Sequence, residues 1–540
     1  MIFTFLFPLA LVETFSTATY VPSSWNPNLE HVLQPHEKAF VAYEVIGEDM
    51  IVSMAVNAMG WVAFGPSESG SMIGGSMCVV MQIEGDIHAI SYSSKSATTP
   101  TRNTINNCEL IDFQQLSDTQ ETYATFKRPL TGCKPQELDI IEEWDYQFIL
   151  AFGPSLTQFS YHGSTARTTM KMNPFYPPRE LPPLPDDTQS LRVLVDDWPL
   201  GTARTLYYCK GHILPNDQRY HVIRFEGILG YVGDAYHHHL DLFECPAKIL
   251  PLLFQDNNTH DCIDPNVYID ECSHYWMGWQ TGQQVIDLRP AGYAIGAGSD
   301  PVAVAVVVVS HIDHPSQQNG TMVEEWGLLL YYTPTLQAQE GQMFSFNVGF
   351  YNGIPPGMAE YEFRGEIPTN ILDMYIPQDG LVISGIGAHA HGLQSRWKMT
   401  VVRDGVERPD LSAFSNSWDY NMQDFRMRSY NHELRLLRGD RVLYSCYFNT
   451  TTMTEPVYWG EGFLDEMCVL WVQSYPQFDN AMNYCMVDGR TFNVDAPDQD
   501  PNDVLVALCD GNGVRTGLLF SNNTWETPPS PPNNCEEMSQ

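Results

Sequence analysis

Leu381–Gly392, the stretch LVISGIGAHAHG, joins an apolar run to two histidines at alternate positions. The turn residues Asp379 and Gly380 precede it, and the pattern predicts a β-strand. Residues two apart in a strand point to the same face, so His389 and His391 can offer two imidazoles to one copper or zinc ion. The alternative is a pair of histidines at a solvated strand end, because two ligands alone do not make a metal site.

Strand-like runs separated by turn residues fill most of the chain, and long helical periodicity is absent. They predict an all-β protein. Residues 24–172 are expected to form one β-sandwich, and the Pro-rich residues 173–189 a stiff linker. Residues 190–338 and 339–500 are expected to form two further sandwiches, followed by a Pro-rich tail at 501–540.

The composition indicates a protein of the secretory pathway. Residues 1–18 form a short apolar run ending in small residues, which predicts a signal peptide. The longest later apolar run, 302–309, predicts a buried strand, and no transmembrane segment is expected. Twelve cysteines are compatible with a disulfide framework. The glycosylation sequons stand at Asn257, Asn319, Asn449 and Asn522. We therefore expect a soluble protein that is extracellular or in the secretory-vesicle lumen.

The chain is strongly acidic, with a formal net charge of −37. This charge disfavours nucleic acid and anionic membranes as partners. It is compatible with a cationic small-molecule substrate. The sequence leaves homo-oligomerisation open.

Four groups of potential metal ligands lie between residues 230 and 470, close to the ends of predicted strands. They are His237–Cys245 (HHHLDLFEC), His311–His314 (HIDH), His389–His391 (HAH) and Asp465–Cys468 (DEMC). Single histidines in such places are usually satisfied core or surface residues. Three clusters accompanied by a methionine indicate a metal site instead.

These segments resemble the copper type II, ascorbate-dependent monooxygenases of the dopamine β-monooxygenase group. The matching pieces, in the family's order, are HHLDLFEC (His238–Cys245), VSHIDHP (Val309–Pro315), HAH (His389–His391) and GFLDEMC (Gly462–Cys468). The N-terminal part is similar to a DOMON domain, in GWVAFGP (Gly60–Pro66) and YHG (Tyr161–Gly163). The resemblance implies a DOMON β-sandwich followed by two jelly-roll-like β-sandwich subdomains that carry one copper each.

The resemblance also implies which side chains hold the two copper ions. One set would be His238, His239 and His311, and the other, catalytic set would be His389, His391 and Met467. Three imidazoles suit an electron-transfer copper, and a thioether favours Cu(I), the form able to bind dioxygen. In the family, ascorbate reduces both coppers, and one oxygen atom enters a substrate C–H bond at the methionine site.

The run of three histidines leaves one choice open on geometry. In a regular strand His237 and His239 share a face, whereas His238 and His239 point to opposite faces. Strand geometry alone therefore favours His237 with His239. The resemblance favours His238 with His239, which requires a β-bulge, a strand end or different ring nitrogens on the two residues. We follow the resemblance and treat His237 as a neighbour.

Departures from the family pattern bear on the substrate. Peptide-amidating relatives carry an arginine at the position of Gly387, which binds a peptide carboxylate, and its absence here favours a small molecule. Ala390 replaces the residue that usually separates the two histidines, and its side chain is expected to face away from the ion. Trp471 either lines the substrate pocket, where it can receive an aryl ring or an ammonium group, or is a core tryptophan.

The cysteines fit a framework by the same resemblance. The implied pairs are Cys209–Cys262, Cys245–Cys272, Cys446–Cys468 and Cys133–Cys535. Cys485 and Cys509 lack their usual partners and are expected to bond each other, and Cys78–Cys108 is the remaining pair. Bridges at Cys245 and Cys468 would rigidify the metal site, because both follow copper ligands closely.

Some DOMON domains bind haem through a methionine and a histidine. Met72 and His162 stand in the right neighbourhoods for such a pair. The dopamine β-monooxygenase group does not generally use haem, so none is expected here.

These observations predict a secreted enzyme with two copper ions per chain and ascorbate as reductant. It would use O₂ to hydroxylate an sp³ carbon of a small aromatic amine, with tyramine or dopamine as leading substrates. One alternative is a catalytically silent copper-binding protein that retains the fold. Another is a haem-DOMON electron carrier with the copper region as a passenger.

Overall fold

The structure is a computed structural model that describes residues 20–492 and 507–510 with short gaps. The gaps are residues 97, 133–137, 164, 177–180, 231–234, 246, 254–257, 263–271, 273, 281–284, 298–302, 319, 321, 351–352, 368, 370–371, 374–375, 416–417, 424, 429–432, 461, 463, 478–483 and 489. The expected signal peptide and nearly all of the tail lie outside the described residues. Within the described ranges, no helix has the length and apolar character needed to cross a bilayer.

The first strands form two facing sheets, the N-terminal sandwich. Its strands are β1 (His31–His36), β2 (Ala39–Ile46), β3 (Asp49–Val56), β4 (Val62–Ser67), β5 (Ser76–Ile83), β6 (Asp86–Ser93), β7 (Thr101–Arg102), β8 (Glu109–Leu116), β9 (Glu121–Pro129), β10 (Tyr146–Phe152) and β11 (Arg167–Met172). The sheet orders are β1-β2-β3-β9-β8 and β11-β10-β4-β5-β6-β7. Alternate apolar residues of both sheets fill the space between them, where Phe64 stacks on Phe148.

The next strands form the middle sandwich. They are β12 (Gln189–Val195), β13 (Trp198–Pro199), β14 (Thr205–Ile213), β15 (Arg219–Ile228), β16 (Tyr236–Glu244), β17 (His260–Asp261), β18 (His274–Gln280), β19 (Ile286–Asp287), β20 (Ala291–Gly296), β21 (Ala305–Asp313), β22 (Met322–Val323), β23 (Trp326–Thr333) and β24 (Gln339–Glu340). One sheet runs β12-β23-β15-β20-β24, with β19 beside β15, and the other runs β17-β14-β21-β16-β18. A 3₁₀ turn at Ala247–Ile249 continues into α1 (Leu250–Leu253).

Strand β21 is the most apolar run of the chain, and all nine of its residues are buried. Val306, Val308 and Ile312 face the core of the middle sandwich. Ala305, Val307 and Val309 face the opposite way, into a smaller cluster that contains Ile249 and Leu253. The prediction of a buried strand at this run is therefore confirmed, and burial on both faces explains why its first five residues are all apolar.

The remaining strands form the C-terminal sandwich. They are β25 (Gln342–Gly349), β26 (Tyr361–Ile367), β27 (Leu381–His389), β28 (Gln394–Arg403), β29 (Val406–Glu407), β30 (Ala413–Ser415), β31 (Phe425–Met427), β32 (Leu434–Leu436), β33 (Arg441–Phe448), β34 (Val469–Tyr475), β35 (Tyr484–Asp488), β36 (Arg490–Phe492) and β37 (Ala507–Asp510). A 3₁₀ turn covers Pro409–Leu411. One sheet runs β31-β27-β34-β25-β35-β37 with β32 beside β27, and the other runs β29-β28-β33-β26-β36 with β30 beside β28. The predicted all-β class is confirmed, and the opening stretch LVISGIGAH is strand β27.

The Pro-rich linker is tied to the middle sandwich by hydrogen bonds. The guanidinium groups of Arg224 and Arg289 both donate to the carbonyl of Pro182. The hydroxyls of Thr333 and Thr335 donate to the carboxylate of Asp187. These bonds fix the point at which the chain passes from one sandwich to the next.

Three expected disulfides are present: Cys78–Cys108, Cys245–Cys272 and Cys446–Cys468. Cys209 and Cys262 are adjacent thiols rather than a bonded pair. Burial first, and then contact with Cys209, raise the pKa of the Cys262 thiol. The pairing expected there is therefore not formed in the structure, although the two side chains lie side by side.

The other two expected pairs are Cys133–Cys535 and Cys485–Cys509. Cys133 and Cys535 lie outside the described residues. Cys485 and Cys509 are directly opposite each other in the antiparallel pair β35–β37. Cα atoms of opposed residues in such a pair are about 4.5–5.5 Å apart, within the span of a disulfide. The Cys485–Cys509 bond stays a prediction.

The bridge at Cys468 is expected to stabilise the chain by closing a loop of 22 residues. Replacing both Cys446 and Cys468 by serine should lower the free energy of unfolding by about 3 kcal/mol, chiefly through the entropy of the unfolded chain. Urea unfolding measures this loss. The matched control is the double serine variant at Cys78 and Cys108, which closes 30 residues in the N-terminal sandwich. We expect a similar loss of unfolding free energy in the control, but reduced copper binding only in the variant at Cys446 and Cys468. Equal copper binding in the two variants would contradict this expectation.

Candidate metal centre

Strands β16 and β21 bring the first group of histidines together. In their antiparallel pairing His237 is opposite Ile312 and His239 is opposite His311, so the register shifts between His237 and His239. His238 is the extra residue of this β-bulge. A bulge re-aims side chains at a strand, and here the rings of His238 and His311 lie 4.7 Å apart, edge to face.

His237 takes no part in this cluster. Its Nε2 is 2.8 Å from the carbonyl oxygen of Gly230, and its ring stacks on Trp326 with centroids 3.7 Å apart. The structure thus turns His237 into the middle sandwich and leaves His238 and His239 beside His311. The regular-strand geometry that favoured His237 does not hold, because the bulge interrupts it.

The ring nitrogens of His239 and His311 face each other. Nε2 of His239 is 3.1 Å from Nδ1 of His311. Nδ1 of His239 lies 3.2 Å from a carboxylate oxygen of Asp241. Tyr207, opposite His311 on β14, stacks on the His311 ring with centroids 4.4 Å apart. A carboxylate and an aromatic face therefore orient this pair of imidazoles.

Strand β27 and the residues just after it supply the second group, and each of its histidines is held through Nδ1. Nδ1 of His389 is 2.7 Å from Oε1 of Gln423, and Nδ1 of His391 is 2.9 Å from the carbonyl oxygen of Asp465. Because both partners are acceptors, Nδ1 carries the proton in each ring. The lone pair then lies on Nε2, the arrangement of metal-binding imidazoles whose other nitrogen is fixed by the protein.

The two groups, expected on separate subdomains, meet at the seam between the middle and C-terminal sandwiches. The ring of His389 lies 5.2 Å from that of His238 and 4.8 Å from that of His239. The ring of His391 lies 5.5 Å from that of His238 and 6.3 Å from that of His311. One nitrogen from each of His238, His239 and His389 falls within 4.8 Å of the others. The five imidazoles form a single cluster.

Burial keeps four of these five imidazoles uncharged. It lowers the pKa of the His238, His311 and His389 imidazoles well below the ordinary value, and the neighbouring imidazoles lower it further. Burial lowers the pKa of His391 to about 4, although the hydrogen bond to Asp465 opposes this. These four rings are therefore neutral at neutral pH, which is the state that binds a metal ion.

Met467 lies two residues before strand β34, which pairs with β27, the strand that ends at His389. Val469, two residues on, is opposite His389 in the β27–β34 pairing. The backbone N–H groups of His391, Leu393 and Met467 all donate to the carboxylate of Glu466. Burial raises the pKa of Glu466 to about 7, and these backbone hydrogen bonds oppose the increase. Met467 itself is half-buried and packs against the core of the middle sandwich.

The donor set fits copper. Among the described residues, Nε2 of His311, His389 and His391 is buried without a hydrogen-bond partner, a costly state that a metal ion would relieve. Imidazole and thioether donors suit copper, whereas carboxylate and water donors would suit magnesium or calcium. His238, His239 and His311 could hold one ion, and His389, His391 and Met467 the other.

Trp471 stacks on His389, with centroids 5.7 Å apart and planes 10° from parallel. It is buried in the core of the middle sandwich and also meets Tyr275. Trp471 is therefore both a core residue and a direct neighbour of the candidate metal centre. Ala390, the residue between the two histidines, is buried.

Gly387 is a glycine for a packing reason. It is opposite Trp471, and a Cβ there would lie 2.7 Å from Phe425 and 3.1 Å from the Gln280 amide nitrogen. That amide donates to the carbonyl of Ala388 and so joins the middle sandwich to strand β27. The position that bears an arginine in peptide-amidating relatives therefore has no room for a side chain.

Sequence reasoning missed the segment that supports both groups. Within it, Tyr420 stacks on His238 at 4.7 Å, the Trp418 indole donates to the carbonyl of His391, and Gln423 binds His389. Their spacing matches no metal-ligand pattern. The one signal in the sequence is a cluster of aromatic and amide residues, WDYNMQ, within a polar loop.

The residues considered for haem lie in the N-terminal sandwich. Met72 is in the turn between β4 and β5. His162 places Nδ1 2.7 Å from the carbonyl oxygen of Gly163, and its ring meets Trp61 edge to face. Burial lowers the pKa of His162.

Of the four glycosylation sequons, Asn449 is exposed, whereas Asn257, Asn319 and Asn522 lie outside the described residues.

Comparison with known families agrees with this architecture. Residues 191–319 match the N-terminal domain, and residues 345–495 the C-terminal domain, of copper type II ascorbate-dependent monooxygenase. Residues 35–153 match the DOMON domain. The chain belongs to the copper type II ascorbate-dependent monooxygenase family, with a DOMON domain as its N-terminal sandwich.

Similar proteins align with most of the chain. DBH-like monooxygenase protein 1 of Gallus gallus is 24% identical over 80% of this chain and 70% of its own length. Dopamine beta-hydroxylase of Rattus norvegicus is 24% identical over 84% of this chain and 74% of its own length. Putative DBH-like monooxygenase protein 2 of Homo sapiens is 23% identical over 89% of this chain and 95% of its own length.

The close packing around Gly387 allows a test of the contact between the middle and C-terminal sandwiches. Gly387→Ala should lower the free energy of unfolding by about 1–3 kcal/mol, because its Cβ would displace Phe425. The matched control is Gly392→Ala, just beyond the same strand, where a Cβ would meet nothing within 4 Å. Urea unfolding measures the stability of the two variants, and metal analysis measures how much copper each binds. Equal stability of the two variants would contradict the packing described.

Proposed function

We propose that the protein is a copper- and ascorbate-dependent monooxygenase that hydroxylates an sp³ C–H bond of a small aromatic amine. The convergence of five buried imidazoles, four of them kept uncharged by burial, is the observation that carries this proposal. Two copper ions per chain would be held by the two donor sets. Bound copper in this family supplies electron transfer from ascorbate and the activation of dioxygen; one oxygen atom enters the substrate and the other leaves as water.

The protein's own contribution is to orient the donors and exclude water. Gln423 and the Asp465 carbonyl accept hydrogen bonds from Nδ1 of His389 and His391 and so fix these two rings. A carboxylate oxygen of Asp241 lies 3.2 Å from Nδ1 of His239. Aromatic rings cover three of the imidazoles; they belong to Tyr207, Tyr420 and Trp471. Stacked rings and fixed tautomers reduce the reorganisation needed when copper changes oxidation state.

The substrate class rests on two features of the chain. Gly387 leaves no cation to bind a peptide carboxylate, which disfavours peptides. The net charge of −37 favours approach of a cationic amine over an anion. Phenethylamines such as tyramine and dopamine are therefore the leading candidates, and the Rattus norvegicus relative carries the name dopamine beta-hydroxylase. Action outside the cell or in the secretory lumen agrees with the three disulfides.

The direct test is incubation of copper-loaded protein with ascorbate, ¹⁸O₂ and a panel of aryl ethylamines. We expect amine-dependent O₂ uptake and one ¹⁸O atom in the product, measured by mass spectrometry. Two bound coppers without uptake on any amine would support a catalytically silent copper-binding protein instead. A Soret band that is reduced by ascorbate would support an electron carrier.

Met467→Ala should reduce hydroxylation turnover by more than about a hundredfold, because the soft donor that favours Cu(I) is lost. The histidines should retain most of the copper, and the fold should survive. Met358→Ala, a half-buried methionine of the same sandwich, is the control. Steady-state turnover and metal analysis measure both, and wild-type turnover in Met467→Ala would refute the assigned role.

A further inference from the structure

The segment 412–428 contacts both groups of histidines; its residues 416–417 and 424 lie outside the described part. Gln423 accepts from Nδ1 of His389 and donates 2.9 Å to the carbonyl of Tyr420. Tyr420 in turn stacks on His238. The segment therefore sets the orientation of one imidazole from each expected copper site.

The N-terminal sandwich contacts this segment near both of its ends. The Trp144 indole donates to the carbonyl of Ser412, and Lys171 Nζ donates 2.6 Å to the carbonyl of Phe425. The Arg428 guanidinium lies over the Trp144 ring, 4.5 Å from its centroid. Neighbouring core side chains of the two sandwiches form one continuous cluster.

One hydrogen bond joins the two sandwiches close to the imidazoles. The Ser71 hydroxyl donates 2.5 Å to Oδ2 of Asp419, and Oδ1 of Asp419 accepts from the backbone N–H of Asn421 at 2.9 Å. Ser71 is itself fixed, because its oxygen accepts from the backbone N–H of Ile73. Asp419 thus forms the turn that presents Tyr420 and Gln423, and Ser71 holds that turn from outside.

We propose that the DOMON domain positions the copper centre through this segment, with Ser71, Asp419 and Gln423 as positioning residues. The inference rests on the proposed copper function. The DOMON domain then restrains the orientation of the His389 and His238 rings through Gln423 and Tyr420. Hydrogen bonds to a carboxylate are among the stronger ones in proteins, so loss of the Ser71 bond should loosen the turn measurably.

The test uses the full chain. In metal-free Ser71→Ala and Asp419→Ala, amide hydrogen exchange across residues 418–427 should be about five- to tenfold faster than in wild type. Ser71→Thr, which keeps the hydroxyl, should restore slow exchange. The matched control is Ser91→Ala, whose hydroxyl donates only within the N-terminal sandwich, to Ile105. Exchange in Ser71→Ala equal to that in Ser91→Ala would overturn the proposal.

The second readout is the copper centre itself. Ser71→Ala should change the Cu(II) hyperfine splitting in electron paramagnetic resonance and lower kcat about five- to tenfold, whereas Ser91→Ala should change neither. A changed spectrum and faster exchange without any amine oxidation would refute the proposed function and leave this inference standing. Normal amine oxidation with a wild-type spectrum in Ser71→Ala would refute this inference alone.

Discussion

Imidazoles packed against one another away from water must stay uncharged, and the structure around the seam follows from that constraint. A proton added to His389 would place a charge beside His239 and His391 in a medium of low dielectric constant. Burial avoids this by depressing the pKa of His389 and His391. The consequence is a set of buried nitrogen atoms without partners, which a soft or borderline metal ion satisfies.

Rigid β-structure allows such a cluster to form. His238, His239, His311 and His389 lie within strands, so hydrogen-bonded ladders fix their backbones. His391 lies two residues beyond the end of β27, and its backbone N–H donates to the carboxylate of Glu466. The β-bulge at His238 aims two consecutive side chains at one region. Disulfides at Cys245 and Cys468 close the chain a few residues from His239 and Met467. Positions held in this way change little when a ligand binds.

Local features of the chain were enough to predict the all-β class, strand β27 and the family. Strand alternation and the order of the HHLDLFEC, HIDH, HAH and GFLDEMC segments can be read without knowing what lies beside them. They also indicated that His389 and His391 share a face, since side chains two apart in a strand do so. The choice of His238 over His237 needed the pairing of β16 with β21, because a bulge is a property of two strands.

The meeting of the two groups of histidines, and their support by Tyr420 and Gln423, emerged only from the folded chain. Those contacts join residues more than 30 positions apart, from loops without regular spacing, and no local pattern records such a distance. The same holds for Cys209 and Cys262, which the family order pairs and the structure leaves as thiols. Packing between sandwiches depends on the shape of whole sheets, and a sequence pattern does not express that shape.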